Sequence, residues 1–147
     1  MTRQRYLVLL LGLFLSVRVS AQAPAPGSLV VIANKAVPVD KIDAGQATQI
    51  FLKQIHTWPD GGPIQPIDIK EGSPLRAEFY SRISGRSPGQ LRAYWARQAF
   101  TGMGFPPREV ATAEDVSKAV QATPGGIGYI DRRNSDSGTK VVLDPAK

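Results

Sequence analysis

The segment Asp68-Ile-Lys-Glu-Gly-Ser-Pro-Leu-Arg76 gathers the residues of this chain best suited to chemistry. It reads as the passage from a strand into a helix. A helix start carries N–H groups that no preceding turn can accept, and the aligned peptide dipoles leave roughly half a positive charge there. Gly72 lets backbone approach a ligand closely, and Ser73 brings a hydroxyl. Phosphate, sulfate or a carboxylate meets both conditions. Lys70 and Arg76 would add charge-assisted bonds, so the candidate anion-binding set is Lys70, Gly72, Ser73, Leu75 and Arg76. The same residues also make an ordinary helix cap. Ser suits the N-cap and Pro the first helical position, and the pair recurs at Ser87-Pro88 with no evident ligand role. Pro74 removes one N–H from the cluster, and Glu71 repels an anion unless that anion carries a proton to share.

Other chemistry finds little footing. His56 is the only histidine, with no second His or carboxylate at ligand spacing, and there is no Cys, so neither a metal site nor thiol chemistry is indicated. Thr101-Gly-Met-Gly104 is glycine-rich but lacks the Lys and following Ser/Thr of a phosphate loop. No Ser/His/Asp set and no paired carboxylates stand out, so the expectation is no catalytic residue, no cofactor and no enzyme activity. Trp58, Tyr94 and Trp95 read as packing residues.

These residues need elements to hold them. Leu29–Ala33 is a short β-branched run and predicts a buried strand. Asp43 with Gln46 forms a capping box ahead of a helix whose inner face is Ala47, Ile50 and Phe51. After the turn cluster Trp58–Pro63, the stretch Ile64–Ile69 predicts a second strand. Ser73-Pro74 opens a helix with Leu75, Phe79 and Ile83 inward. Ser87-Pro88 with Gln90 opens another, with Leu91, Tyr94 and Trp95 inward. Thr101–Pro107 is a loop, and Thr112 caps a fourth helix carrying Val116, Ala119 and Val120. Ile127–Ile130 and Val141–Leu143 close the pattern as strands around a polar loop, Asp131–Thr139. Strand and helix patches alternate, which predicts an α/β layer fold.

In this order, Ile50-Phe-Leu-Lys-Gln-Ile-His-Thr-Trp58, Ile64-Gln-Pro-Ile67, Glu71-Gly-Ser-Pro-Leu-Arg76 with Phe79, and Pro124-Gly-Gly-Ile-Gly-Tyr129 resemble the phosphate-binding proteins of ABC transporters. Those show an "IFLGK…W.DG..I.PV" block, a "GSGTR..F" block and a "PGAIGY" block, and the likeness runs from about Leu29 to Leu143. The resemblance implies a single lobe of a type II periplasmic-binding-protein-like fold, layered αβα with a small mixed sheet. In two-lobed members the "GSGT" helix start gives backbone and hydroxyl bonds to phosphate held between the lobes. Gly72 and Ser73 match its first two positions, Arg76 matches the Arg of many members, and Glu71 matches the acidic residue ahead of it. Pro74 and Leu75 stand in place of Gly and Thr, and Ile69 replaces an upstream Arg for which Lys70 would substitute. The chain is too short for a second lobe. An open half-site binds weakly, because each bond to the anion replaces a good bond to water. A homodimer or a membrane-transporter partner would supply the other wall. The resemblance thus implies a small inorganic oxyanion, phosphate-like, as ligand. The alternative is a ligand-free protein-interaction module of the periplasm, which Pro74 and Leu75 favour by making the cluster less polar.

The leader sets the compartment. Arg3 and Arg5, the apolar run Tyr6–Leu15 and the small residues Val19-Ser20-Ala21 predict a signal peptide over residues 1–21, cut before Gln22. The apolar run is about half of the ~20 residues that span a bilayer. Residues 22–28 then form a Pro/Ala-rich flexible linker, and 29–147 the binding-protein-like domain, expected in the periplasm. The formal charge of +6 includes Arg3, Arg5 and Arg18; without them 15 basic residues face 12 acidic ones, leaving +3. That excludes the dense basic face of a nucleic-acid binder.

Overall fold

The computed structural model describes residues 29–145, so the predicted signal peptide and linker lie outside the described residues. Five strands make one mixed sheet: β1 (Leu29–Asn34), β2 (Gln65–Ile69), β3 (Arg108–Val110), β4 (Gly126–Asp131) and β5 (Thr139–Leu143). Their order across the sheet is β3-β2-β4-β1-β5. β2 runs parallel to β3 and β4, whereas β1 runs antiparallel to both β4 and β5. The helices are α1 (Ala44–Phe51), α2 (Pro74–Ser84), α3 (Pro88–Phe100) and α4 (Ala113–Ala122), with a 3₁₀ turn at Arg132–Asn134.

β4 shows how the layers form. Successive strand residues point to opposite faces. Gly128 lies against Val116 and Val120 of α4, while Tyr129 stacks on Phe79 of α2 at 3.9 Å and meets Phe51 of α1 edge-on. Helix α4 therefore covers one face of the sheet and α1 with α2 the other, which is the layered αβα arrangement expected. The five residues Leu29–Ala33 are fully buried, as a central strand covered on both faces requires.

Side-chain caps fix the helix starts where the sequence placed them. Asp43 and Gln46 close a full capping box, as do Ser87 and Gln90, and Thr112 accepts from the backbone of Asp115. α2 ends on Gly85, whose left-handed φ of 64° a side chain would strain. The residues assigned to core faces are buried or packed against the core, Leu75, Tyr94 and Ala119 only partly. Three details differ from the sequence reading. β3 was not foreseen, β5 begins at Thr139 rather than Val141, and the polar loop holds a 3₁₀ turn. Asp136 organises that loop, accepting from Ser117 Oγ, Gln121 Nε2 and Gly138 N at 2.8 Å each.

Candidate functional site

β2 and β3 both end at the edge of the sheet where α2 begins. Lys70 N donates to Val110 O at 2.9 Å, tying the two strand ends together. Gly72 then turns the chain with φ +90°, a conformation that disfavours any side chain, and open space surrounds the position a Cβ would take. Ser73 caps α2, but loosely. Its hydroxyl lies 3.5 Å from Arg76 N, against 3.2 Å for the equivalent bond of Ser87, and only Ser87 has a glutamine returning a second bond. The start of α2 is thus less satisfied from within the chain than the start of α3.

A groove of about 560 Å³ opens beside this helix start. Glu71, Gly72, Ser73, Pro74, Arg76, Ala77 and Tyr80 form one wall, and Pro88, Leu91, Arg92, Trp95 and Ala96 the other, with Pro106 and Glu109 at the end. The walls are largely apolar. Arg92 reaches across to Glu71 at 2.6 Å, but both side chains are more than half exposed, so water screens this strap and it contributes little to stability. Trp95 is the contrast: its indole nitrogen is buried and has no hydrogen-bond partner among the described residues. An unmade bond of that kind costs free energy.

Beneath the groove lies a buried polar cluster centred on Asp68 of β2, which is fully buried. Tyr129 Oη donates to Asp68 Oδ1, Tyr80 Oη donates to Oδ2 at 2.8 Å, and Ile69 N donates to Oδ1 at 2.8 Å. Arg76 Nη2 stands 3.5 Å from Oδ2 while its Nη1 donates to Glu109 Oε1 at 2.7 Å. Burial raises the Asp68 carboxyl above its usual range, and Arg76 and the two tyrosines oppose that rise without cancelling it. Both phenols are pushed up by burial and by the Asp68 charge, so they stay protonated and serve as donors. For Arg76, burial disfavours the charge, but Asp68, Tyr80 and Glu109 outweigh it and the guanidinium holds its proton more firmly.

The structure brings Gly72, Ser73 and Arg76 together on one groove wall. Lys70 is exposed and Leu75 half-buried, and neither lines that groove; Leu75 instead borders a shallower hollow with Ile69, Ala111 and Asn134. Arg76 is 8% exposed and sits between two carboxylates, so its charge is already engaged. The sequence reading missed Asp68, Tyr80, Tyr129 and Glu109 as one unit. One signal was present: an acid between Ile67 and Ile69 in a strand buried on both faces must find partners inside. His56 is exposed, and Trp58 is core, its indole N–H donating to Gly125 O at 3.2 Å. No cluster of His, Cys, Asp or Glu suited to a metal ion occurs among the described residues.

No known protein-family profile matches the chain, and no curated protein sequence does. Solved structures match by shape. An ABC-type phosphate transport receptor from Vibrio cholerae superposes with a TM-score of 0.63 at 19% identity, over 80% of this chain and 46% of the receptor. A protein assigned as a phosphate ABC transporter substrate-binding protein from Clostridium perfringens, solved with phosphate bound, gives 0.61 at 19% identity over 79% and 44%. PstS from Borrelia burgdorferi gives 0.59 at 16% identity over 79% and 46%. The chain spans less than half the length of each. Its fold is that of a single lobe of the PstS-like periplasmic binding proteins.

Proposed function

We propose that the chain is an exported, periplasmic binding lobe that takes a small phosphate-like oxyanion at the start of α2, weakly by itself and more firmly when a second copy or a membrane transporter closes the groove. The observation that carries this reading is the loosely satisfied helix start at Gly72-Ser73, set on the wall of an open groove. N–H groups of a first helical turn favour negative charge. Support also comes from the fold it shares with a phosphate-bound protein. Binding without chemistry fits the site, because the acceptors on Asp68 are taken up inside the protein.

Thermal melting in phosphate, sulfate and acetate, against chloride at matched ionic strength, tests the reading. A ligand at ~100 times its Kd stabilises by about 2.7 kcal/mol, which raises the Tm of a domain of this size by about 10 °C. Ser73→Asp keeps a good N-cap while placing a negative charge where the anion would sit, so it should fold and lose the shift. Absence of any anion-specific shift at tens of millimolar in the wild type defeats the proposal.

A second reading has its own observation. Arg76 is held by Asp68 and Glu109 and the groove walls are largely apolar, as suits a lobe that holds a protein partner and no ligand. Light scattering that finds a stable dimer, together with melting indifferent to anions, would select that reading.

A further inference from the structure

Helix α3 and the loop after it form a surface that the groove does not explain. Only Leu91 and Trp95 of the thirteen α3 residues are buried, and Ala93 and Ala99 face outward away from the groove. Beyond the helix end, three large apolar residues stand in water within six positions: Phe100 is 93% exposed, Met103 77% and Phe105 69%. Clusters of this kind mark interaction sites. The sequence of this stretch is basic. Residues 79–108 contain five arginines and no Asp or Glu. Arg82 and Arg92 pair with Glu78 and Glu71, and Arg86 lies over the Tyr94 ring, whereas Arg97 and Arg108 make no ion pair among the described residues.

We infer that this tip is a peripheral docking site for an anionic lipid bilayer, with Phe100, Met103 and Phe105 entering the interface while Arg97 and Arg108 meet the headgroups. A second copy placed face to face would set like arginines against each other, which charge disfavours. The loop backbone favours lipid over an acidic protein. Thr101 N donates to Arg97 O at 3.0 Å, Gly102 N to Ala99 O at 3.2 Å and Met103 N to Gln98 O at 2.9 Å. The Thr101 hydroxyl is likewise spent on Arg97 O at 2.9 Å. These three N–H groups and this hydroxyl are satisfied from within, so they lose little on leaving water and offer little to a protein edge seeking hydrogen bonds. Apolar insertion combined with basic residues is how interfacial segments hold to anionic membranes. No helix among the described residues is long and apolar enough to cross a membrane.

Sedimentation with phosphatidylglycerol/phosphatidylcholine vesicles and with pure phosphatidylcholine vesicles tests this, using the processed chain with its mass confirmed to lack the leader. Binding is expected only to the anionic vesicles and should weaken as salt rises. The triple variant Phe100→Ser, Met103→Ser, Phe105→Ser and the double variant Arg97→Gln, Arg108→Gln should each weaken it at least tenfold. Neither set lies in the core, and unchanged thermal melting confirms that both fold. Wild type that stays in the supernatant at millimolar anionic lipid overturns the inference, as does a triple variant that binds like wild type. Capture of polyglutamate without vesicle binding, lost in the triple variant, assigns the tip to an acidic protein and also overturns it. So does a wild-type dimer abolished by the triple variant in the absence of vesicle binding.

Discussion

Replacing Arg76 with methionine separates a structural role from a ligand role. Methionine retains much of the apolar stem and removes the charge. Two carboxylates lose their partner, but unequally. The Glu109 side chain is 39% exposed and returns to water at small cost, whereas that of Asp68 is fully buried. Stranding a buried charge in this way typically costs about 3–5 kcal/mol. Asp68 has one escape, which is to take up a proton. That costs about 1.4 kcal/mol for each pH unit above its native pKa. The native pKa lies above the ordinary 3.8, so the escape costs less than about 4 kcal/mol at pH 7 and less than about 2 kcal/mol at pH 5. Arg76→Met is therefore expected to destabilise by about 3 kcal/mol at pH 7 and about 1 kcal/mol at pH 5. The sign agrees with linkage: a carboxyl raised by burial binds its proton more readily folded than unfolded, so its contribution to stability falls as pH rises above 3.8. Urea denaturation at both pH values measures the difference. Adding Asp68→Asn should recover most of the loss at pH 7, because the stranded charge is gone. Equal losses at the two pH values, or additive losses in the double variant, would refute the reasoning.

Glu109→Gln removes one of the carboxylates holding Arg76. If the groove binds anions, phosphate should bind about tenfold more tightly, read as a larger shift in Tm at fixed phosphate. Gly128→Ala places a methyl group into Val116 of α4 and close to Val120, and should cost about 1–3 kcal/mol in chemical denaturation.

Local signals in the sequence were sufficient for most of the elements. Asp43, Ser73, Ser87 and Thr112 each declare a helix start by chemistry confined to the next three residues. β3 offers no such signal. Arg108-Glu-Val110 has neither a β-branched run nor alternation, and it is a strand because β2 lies beside it in register. Glu109 therefore carries no local signal, and nothing near Arg76 in sequence shows that its charge is engaged by Glu109 and Asp68. The buried cluster was hidden for the same reason. Tyr129 and Asp68 are 61 positions apart, and only the parallel pairing of β2 with β4 brings them together. The groove depends on how α3 sits against α2, set by Leu91 and Trp95, and no local spacing records that. Residue types thus told where a helix begins, but long-range pairing decided which charges remained available at its start.

The position of β1 in the sheet bears on how the protein comes into being. The first of the described strands occupies an interior place, and both of its neighbours come from much later in the sequence, residues 126–131 and 139–143. Contacts of such long sequence separation form slowly, since a large loop must close before they contribute. During synthesis, residues 29–34 can find no sheet partner until about ninety more residues have followed. The apolar stretch Leu29–Ala33 must wait in the open chain for that time, exposed to chaperones or to aggregation. Under the export proposed above, this ordering would postpone closure of the sheet until β4 and β5 have crossed the membrane.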